Sequence, residues 1–219
     1  MKRIKILLVI CVIFLFSGCS LNYNIDIDKE NPVLCNESLT INGFDSDKVG
    51  VSHDEFINLL YEKLTGSYSI DQGGSNIVVN KNVCNLYDLT DSKLLEKYIV
   101  SSEFKDGYIN IVFDGEELGD LIKSNNGETV EETGLVININ INVPYKVTKT
   151  TANKRDGNTY IWKFDKNNPI KNVMISYDVN QKDFKLSSRQ LVIISICSAA
   201  ALLLLAVVII FIRHKAVNS

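Results

Sequence analysis

The sequence predicts an α+β domain, a mainly antiparallel sheet of at least five strands with two or three helices, followed by a single C-terminal transmembrane helix. Three observations predict it. Apolar and polar residues alternate in several segments, most regularly from Gly134 to Val143, which is the period of a strand with one buried face. Ser52-His53-Asp54-Glu55 reads as a capping box, and Phe56, Leu59, Leu60 and Leu64 follow at helical spacing. Leu191 to Ile212 carries no charge, and at ~1.5 Å per residue it reaches about 33 Å, enough for one bilayer crossing.

The elements follow in order. Tyr23, Ile25 and Ile27 alternate with Asn24, Asp26 and Asp28 in a first half-buried strand, and Ser38 to Asn42 is a second, after a loop containing Pro32. The capped helix runs from Ser52 toward Gly66. Ser67–Asp71 and Asn76–Asn80 flank Gly73-Gly74 as a hairpin. Thr90 caps a second helix through Ile99, which would bury Leu94, Leu95, Tyr98 and Ile99. Gly107–Phe113 is a strand by alternation, and Gly115–Lys123 is a short helix. In Gly134–Val143, Leu135, Ile137, Ile139, Ile141 and Val143 point one way, with Val136 and three asparagines opposite. Tyr145–Thr151, Thr159–Phe164 and Val173–Val179 extend the sheet, with Asp156-Gly157-Asn158 as a turn.

The two ends set the topology. Lys2, Arg3 and Lys5 precede the apolar run Ile6–Phe16, and Ser17 and Gly18 stand immediately before Cys19. A basic start, a short apolar stretch and small residues ahead of a cysteine form a lipoprotein signal peptide, and the Cys19 thiol takes the diacylglycerol. Arg213, His214 and Lys215 follow the apolar run at the other end, and a short basic tail stays in the cytoplasm. The expected organisation is a signal peptide at 1–18, an extracytoplasmic domain at 19–190, a transmembrane helix at 191–212 and a cytoplasmic tail at 213–219. The protein is thus placed at the cell membrane as a single-pass lipoprotein. Ser195 and Ser198 form a small-residue stretch that would let the span pack against another membrane protein.

Between the apolar ends, residues 20–190 hold all 26 acidic side chains and 18 of the 23 basic ones, a net charge of −8. That balance argues against nucleic acid as a partner, since neutralising phosphates needs clustered Lys and Arg. Of five cysteines, Cys11 leaves with the signal peptide, Cys19 is lipidated and Cys197 lies in the span. Cys35 and Cys84 remain, either bridged or as two separate buried thiols.

Residues suited to catalysis are sparse. His53 is the one histidine of the exported domain, and its place in a capping box accounts for it without catalysis. One histidine and two distant cysteines make no zinc site. Asp114, Glu116, Glu117 and Asp120 fit an acidic helix start better than a calcium loop. No phosphate-binding, dinucleotide-binding or nucleophile-elbow motif is present, so the expectation is no enzyme, no cofactor and no metal. Trp162, between Ile161 and Lys163, fits a core better than a ligand platform. Lys154, Arg155 and Lys163 form a basic group that is either a solvated loop or a contact for anionic lipid headgroups.

The stretch from Ile141 to Val179 reads INVPYKVTKTTANKRDGNTYIWKFDKNNPIKNVMISYDV. It resembles the terminal sheet segment of LppM-type bacterial envelope lipoproteins, through Val143-Pro144, Val147-Thr148, Asn153, Gly157-Asn158, Trp162-Lys163 and Tyr177. The resemblance covers about 134–180 together with the lipobox and the apolar C-terminus, and leaves residues 29–130 uncovered. It implies a surface lipoprotein whose soluble domain binds lipid or glycolipid. The expected function is therefore a membrane-anchored lipoprotein binding lipid, glycolipid or a cell-envelope component. An accessory subunit of a membrane protein complex is the alternative.

Overall fold

The computed structural model describes residues 20–44, 52–64, 68–91, 94, 100–116, 118, 136–165, 167–183 and 192–193. The chain divides into two units, Met1–Phe184 and Lys185–Ser219, and every strand belongs to the first.

Eleven strands make two sheets among the described residues. The larger runs, from edge to edge, through β3 (Tyr68–Gly73), β4 (Asn76–Asn85), β2 (Leu34–Asn42), β1 (Ser20–Ile27), β7 (Val136–Asn142), β10 (Thr159–Phe164) and β9 (Lys154–Asp156). The smaller runs through β5 (Val100–Lys105), β6 (Tyr108–Phe113), β11 (Val173–Lys182) and β8 (Tyr145–Thr150). Neighbours are antiparallel except β1 and β7, which run parallel with Ser20 opposite Val136 and Tyr23 opposite Ile139.

Alternation builds the core. β1 buries Leu21, Tyr23, Ile25 and Ile27, β7 buries Ile137, Ile139 and Ile141, and β10 buries Tyr160, Trp162 and Phe164. The smaller sheet contributes Ile109, Ile111, Phe113, Val173, Ile175 and Tyr177 to the same cluster. Tyr23 meets Phe113 edge-on at 6.0 Å, so the two sheets face each other across this core. Each such side chain taken fully out of water contributes roughly 1.5–3 kcal/mol, which makes the pattern decisive for register.

The opposite face of the larger sheet is polar. Asn138 Nδ2 donates to Asn22 Oδ1 and Asn140 Nδ2 to Asn24 Oδ1, both at 2.8 Å, and Asn24 Nδ2 donates to Ser38 Oγ at 3.1 Å. Parallel pairing in this register puts like asparagines side by side, so their amides bond across the strands.

The chain leaves one sheet for the other at Val143-Pro144. Proline has no N–H for the ladder, and its carbonyl instead accepts from Asp183 N at 3.0 Å. Just beyond it, the Tyr145 ring stacks on Tyr177 at 5.7 Å. The helix α1 (His53–Lys63) begins as the sequence predicts. Ser52 accepts from Glu55 N, and the Glu55 side chain accepts in return from Ser52 N. Phe56 stacks on Phe44 at 5.0 Å and joins the core.

The predicted fold class needs correction. The described chain is mainly β, in two facing sheets, with the α-helix α1, the 3-10 helix Leu86–Asp91 and helical residues at Gly115, Glu116 and Leu118. Of the expected helix from Thr90 to Ile99, Thr90 and Asp91 are the last turn of the 3-10 helix and Leu94 is buried in a bend, while 92–93 and 95–99 lie outside the described residues. Of Gly115–Lys123, Gly115, Glu116 and Leu118 are described and are helical. No helix among the described residues is long and apolar enough to cross a membrane, so the expected C-terminal transmembrane helix has no support there. Apart from Val192 and Ile193, the segment 191–212 lies outside those residues, as does the signal peptide. The balance moves toward strand because β5 and β9, which carry no clear period of their own, take their order by pairing with β6 and β10.

The two ends of the domain are far apart. Lys182 Nζ reaches Glu30 Oε2 at 3.0 Å, in the loop after β1, so β11 ends beside Ile27 and not beside Ser20. At ~3.3 Å per residue, β1 separates those positions by about 23 Å.

Candidate functional site

A cleft of about 310 Å³ opens where the edges of the two sheets diverge beside β10. Trp162 and Phe164 of the larger sheet form its apolar floor, and both are buried. Thr151, after β8, and Asn172, before β11, bring the smaller sheet to its wall. One hydroxyl joins the two sheets there. Thr151 Oγ1 accepts from Trp162 Nε1 at 3.0 Å and from Met174 N at 2.9 Å, and donates to Asn172 O at 3.1 Å. Trp162 is thus a core residue whose polar edge faces the cleft.

The rim is set by a carboxylate. Asp165 Oδ1 accepts from Asn167 N at 2.9 Å and from Asn168 N and Nδ2 at 3.1 and 2.9 Å, and Lys163 Nζ lies 2.7 Å from Oδ2. The Lys163 contact first, then the Asn167 and Asn168 donors, hold this carboxyl far below the usual carboxylate range. On the opposite rim Asn153 Oδ1 accepts from Lys163 N at 3.0 Å. At the back, Asn172 Oδ1 accepts from Gly115 N at 2.8 Å. A side chain at Gly115 would not fit, because a Cβ there would lie 2.4 Å from the Lys171 carbonyl carbon.

The resulting surface is amide-rich. Asn153, Asn167, Asn168 and Asn172 are exposed around the buried aromatic floor, with Lys171 as the basic residue of the lining. Amides donate and accept at once, as sugar hydroxyls do. Among the described residues no group of His, Cys, Asp and Glu is placed to hold a metal ion.

The basic residues predicted for headgroup contact do not form one group. Lys154 and Lys163 lie on the outer face of the larger sheet, paired with Ile161 and Asn138. Arg155 turns the other way. Its guanidinium stacks over Tyr160 at 4.7 Å, its Nε donates to Gly157 O at 2.7 Å, and its NH2 lies 3.4 Å from Asp183 Oδ2. Cys35 and Cys84 stand opposite each other on β2 and β4, buried and disulfide-bonded, with Cα atoms 5.2 Å apart. His53 is half-buried against Phe44, ring centroids 5.5 Å apart. Asp114 accepts from Glu116 N at 2.9 Å; Glu117 and Asp120 lie outside the described residues, as do Cys19, Ser195 and Ser198.

The sequence reading missed a buried acid. Glu37 of β2 is 1% exposed and accepts from Tyr23 OH at 2.6 Å. Burial, and then the Glu37 charge, push the Tyr23 hydroxyl well above the ordinary tyrosine range. The signal was present: Glu37 occupies an inward position of the two-residue period that runs through Cys35, Leu39 and Ile41.

A structural neighbour is the folded domain of the Mycobacterium tuberculosis LppM protein, solved by NMR. It aligns with a TM-score of 0.44 at 11% identity, covering 75% of this chain and 91% of that one. Neither a family model nor a curated protein matches the chain. An overlap of that extent carries no conclusion about activity, and function is argued from the residues.

Proposed function

We propose that this protein is a non-enzymatic envelope lipoprotein, anchored through a diacylglycerol on Cys19, whose domain holds the sugar headgroup of a glycolipid in the cleft beside β10. The observation that carries this reading is the position of the cleft relative to the acylation site. Cys19 directly precedes Ser20, the first residue of β1, so no linker separates the lipid from the sheet. Leu21 pairs with Ile137, and Ile137 with Phe164 of the cleft floor. Two strand spacings of ~4.8 Å put the floor about 10 Å from the start of β1. The cleft therefore lies at the end of the domain that the lipid would hold against the bilayer.

The chemistry agrees with that position. Four asparagines offer neutral donors and acceptors for hydroxyls, whereas Thr151 and Asp165 are already occupied within the protein. Lys171 on the lining and Lys154 on the outer face supply positive charge for lipid phosphates.

The chain holds one tryptophan, and it lines the cleft, so its emission reports occupancy. Full-length protein in detergent micelles, titrated with a glucosyl-diacylglycerol, should show a saturable change in Trp162 emission that phosphatidylglycerol does not produce. Asn168→Ala should weaken that response. Equal responses to the two lipids, or none to the glycolipid, would overturn the reading.

A further inference from the structure

A second concave surface lies on the outer face of the four-stranded sheet, lined by different residues from the cleft, with a volume of about 440 Å³. Local geometry builds it. The β5–β6 hairpin closes in a two-residue turn, Asp106-Gly107, with φ of 52° and 83°. Positive φ at both positions gives the tight turn that keeps Lys105 opposite Tyr108. On the other side, a register shift between Ser176 and Tyr177 of β11 brings Lys149 opposite Ser176, so Thr148 and Lys149 are both exposed along the groove wall. Asn110 pairs with Ser176 from β6 and forms the base.

The contents of this groove differ from its surroundings. Tyr108 is 38% exposed, a large ring left on a polar sheet face. Lys105 and Lys149 have no ion pair among the described residues, in a region of net charge −8. The carboxylates nearby are Asp106 in the turn, Glu103 opposite Asn110, and Asp178. Asp178 is engaged by Asn180 N at 2.9 Å and Gln181 Nε2 at 2.8 Å, and Lys146 donates to Gln181 Oε1 at 3.0 Å. An aromatic face, an amide, hydroxyls, two amines without an ion pair and the single carboxylate of Asp106 therefore line one groove.

We infer that this groove is a second binding site, for an anionic polysaccharide. Tyr108 stacks on a pyranose ring, Asn110 and Thr148 bond its hydroxyls, and Lys105 and Lys149 meet its carboxylate or phosphate groups. The chemistry differs from that of the cleft beside β10, whose lining is amide-rich and holds one lysine. This inference stands on its own residues and does not depend on the glycolipid reading.

The probe is a polygalacturonate oligomer, with dextran as the uncharged sugar and polyglutamate as the charge without sugar, each titrated against full-length protein in micelles. Polygalacturonate should bind, and added salt should weaken it. Lys149→Gln, at an exposed edge position, and Tyr108→Ala should each weaken binding about tenfold, the scale of one lost charge-assisted hydrogen bond or aromatic contact. Trp162 emission should stay unchanged. Equal binding of polyglutamate, equal binding of dextran, unaffected variants that remain folded, or a Trp162 response at saturation would each overturn the assignment.

Discussion

Lys163 and Asp165 sit two residues apart, yet one contact between them sets the protonation of the cleft rim. Asp165 is more acidic in the folded protein than in the unfolded chain, so its stabilisation is fully present above the ordinary carboxylate pKa of about 3.9 and is lost as pH falls below it. Lys163→Met removes the first cause of that shift. The Asp165 carboxyl resonance, followed by NMR, should then titrate at higher pH, and acid unfolding should begin earlier. A second prediction concerns the buried acid. Tyr23→Phe takes the donor from Glu37 Oε1 and should lower stability by about 1–3 kcal/mol, the cost of disturbing a buried charged hydrogen bond, read as a lower urea midpoint at unchanged slope. Residues of this kind were only partly legible. Glu37 had the inward register of its strand, but a carboxylate inside a core runs against composition. The burial of Trp162 followed from its apolar neighbours, whereas its hydrogen bond to Thr151 joins segments eleven residues apart.

Gly115 is where one element constrains another. It follows β6 and passes so close to Lys171 and Asn172 that Gly115→Ala should force the backbones apart. Overpacking of this type costs typically about 1–3 kcal/mol, and the same shift should disturb the Asn172 wall of the cleft. Thermal melting measures the first effect and the Trp162 emission maximum the second. The strands β1, β6, β7, β10 and β11 and the capped helix were readable because each carries its own period. β5 was not: Val100 and Phe104, its two apolar positions over Val100–Phe104, are four apart, a spacing that fits helix and strand alike, and its partner strand supplies the order. The parallel pairing of β1 with β7 was also hidden, since no local pattern names a partner 116 residues away. For the same reason the cleft escaped notice, its walls coming from three separate connections.

The whole domain is closed by long-range ties. The Cys35–Cys84 bridge spans 49 residues and fixes β2 to β4, with α1 and β3 inside the loop. By the chain-entropy account such a closure contributes about 4 kcal/mol, so Cys35→Ala/Cys84→Ala should lower the unfolding free energy, read from urea denaturation, by that amount, and wild-type protein kept reduced should match it. Unchanged stability in both would mean that the bridge constrains nothing in the unfolded chain. With the proposed lipid on Cys19, the opposite placement of Ser20 and Lys182 would leave the β1–β2 loop and the end of β11 on the side away from the bilayer.

β1 lies in the interior of its sheet, hydrogen-bonded on one side to β2 and on the other to a strand that is translated more than a hundred residues later. Ser20 is already in register with both, and on the proposed reading the bond cut to free Cys19 lies just ahead of it. A finished sheet would withhold that bond from a protease. Lipidation at Cys19 would therefore set an order in time: acylation and cleavage while β1 is still an open chain, and only then the arrival of β7.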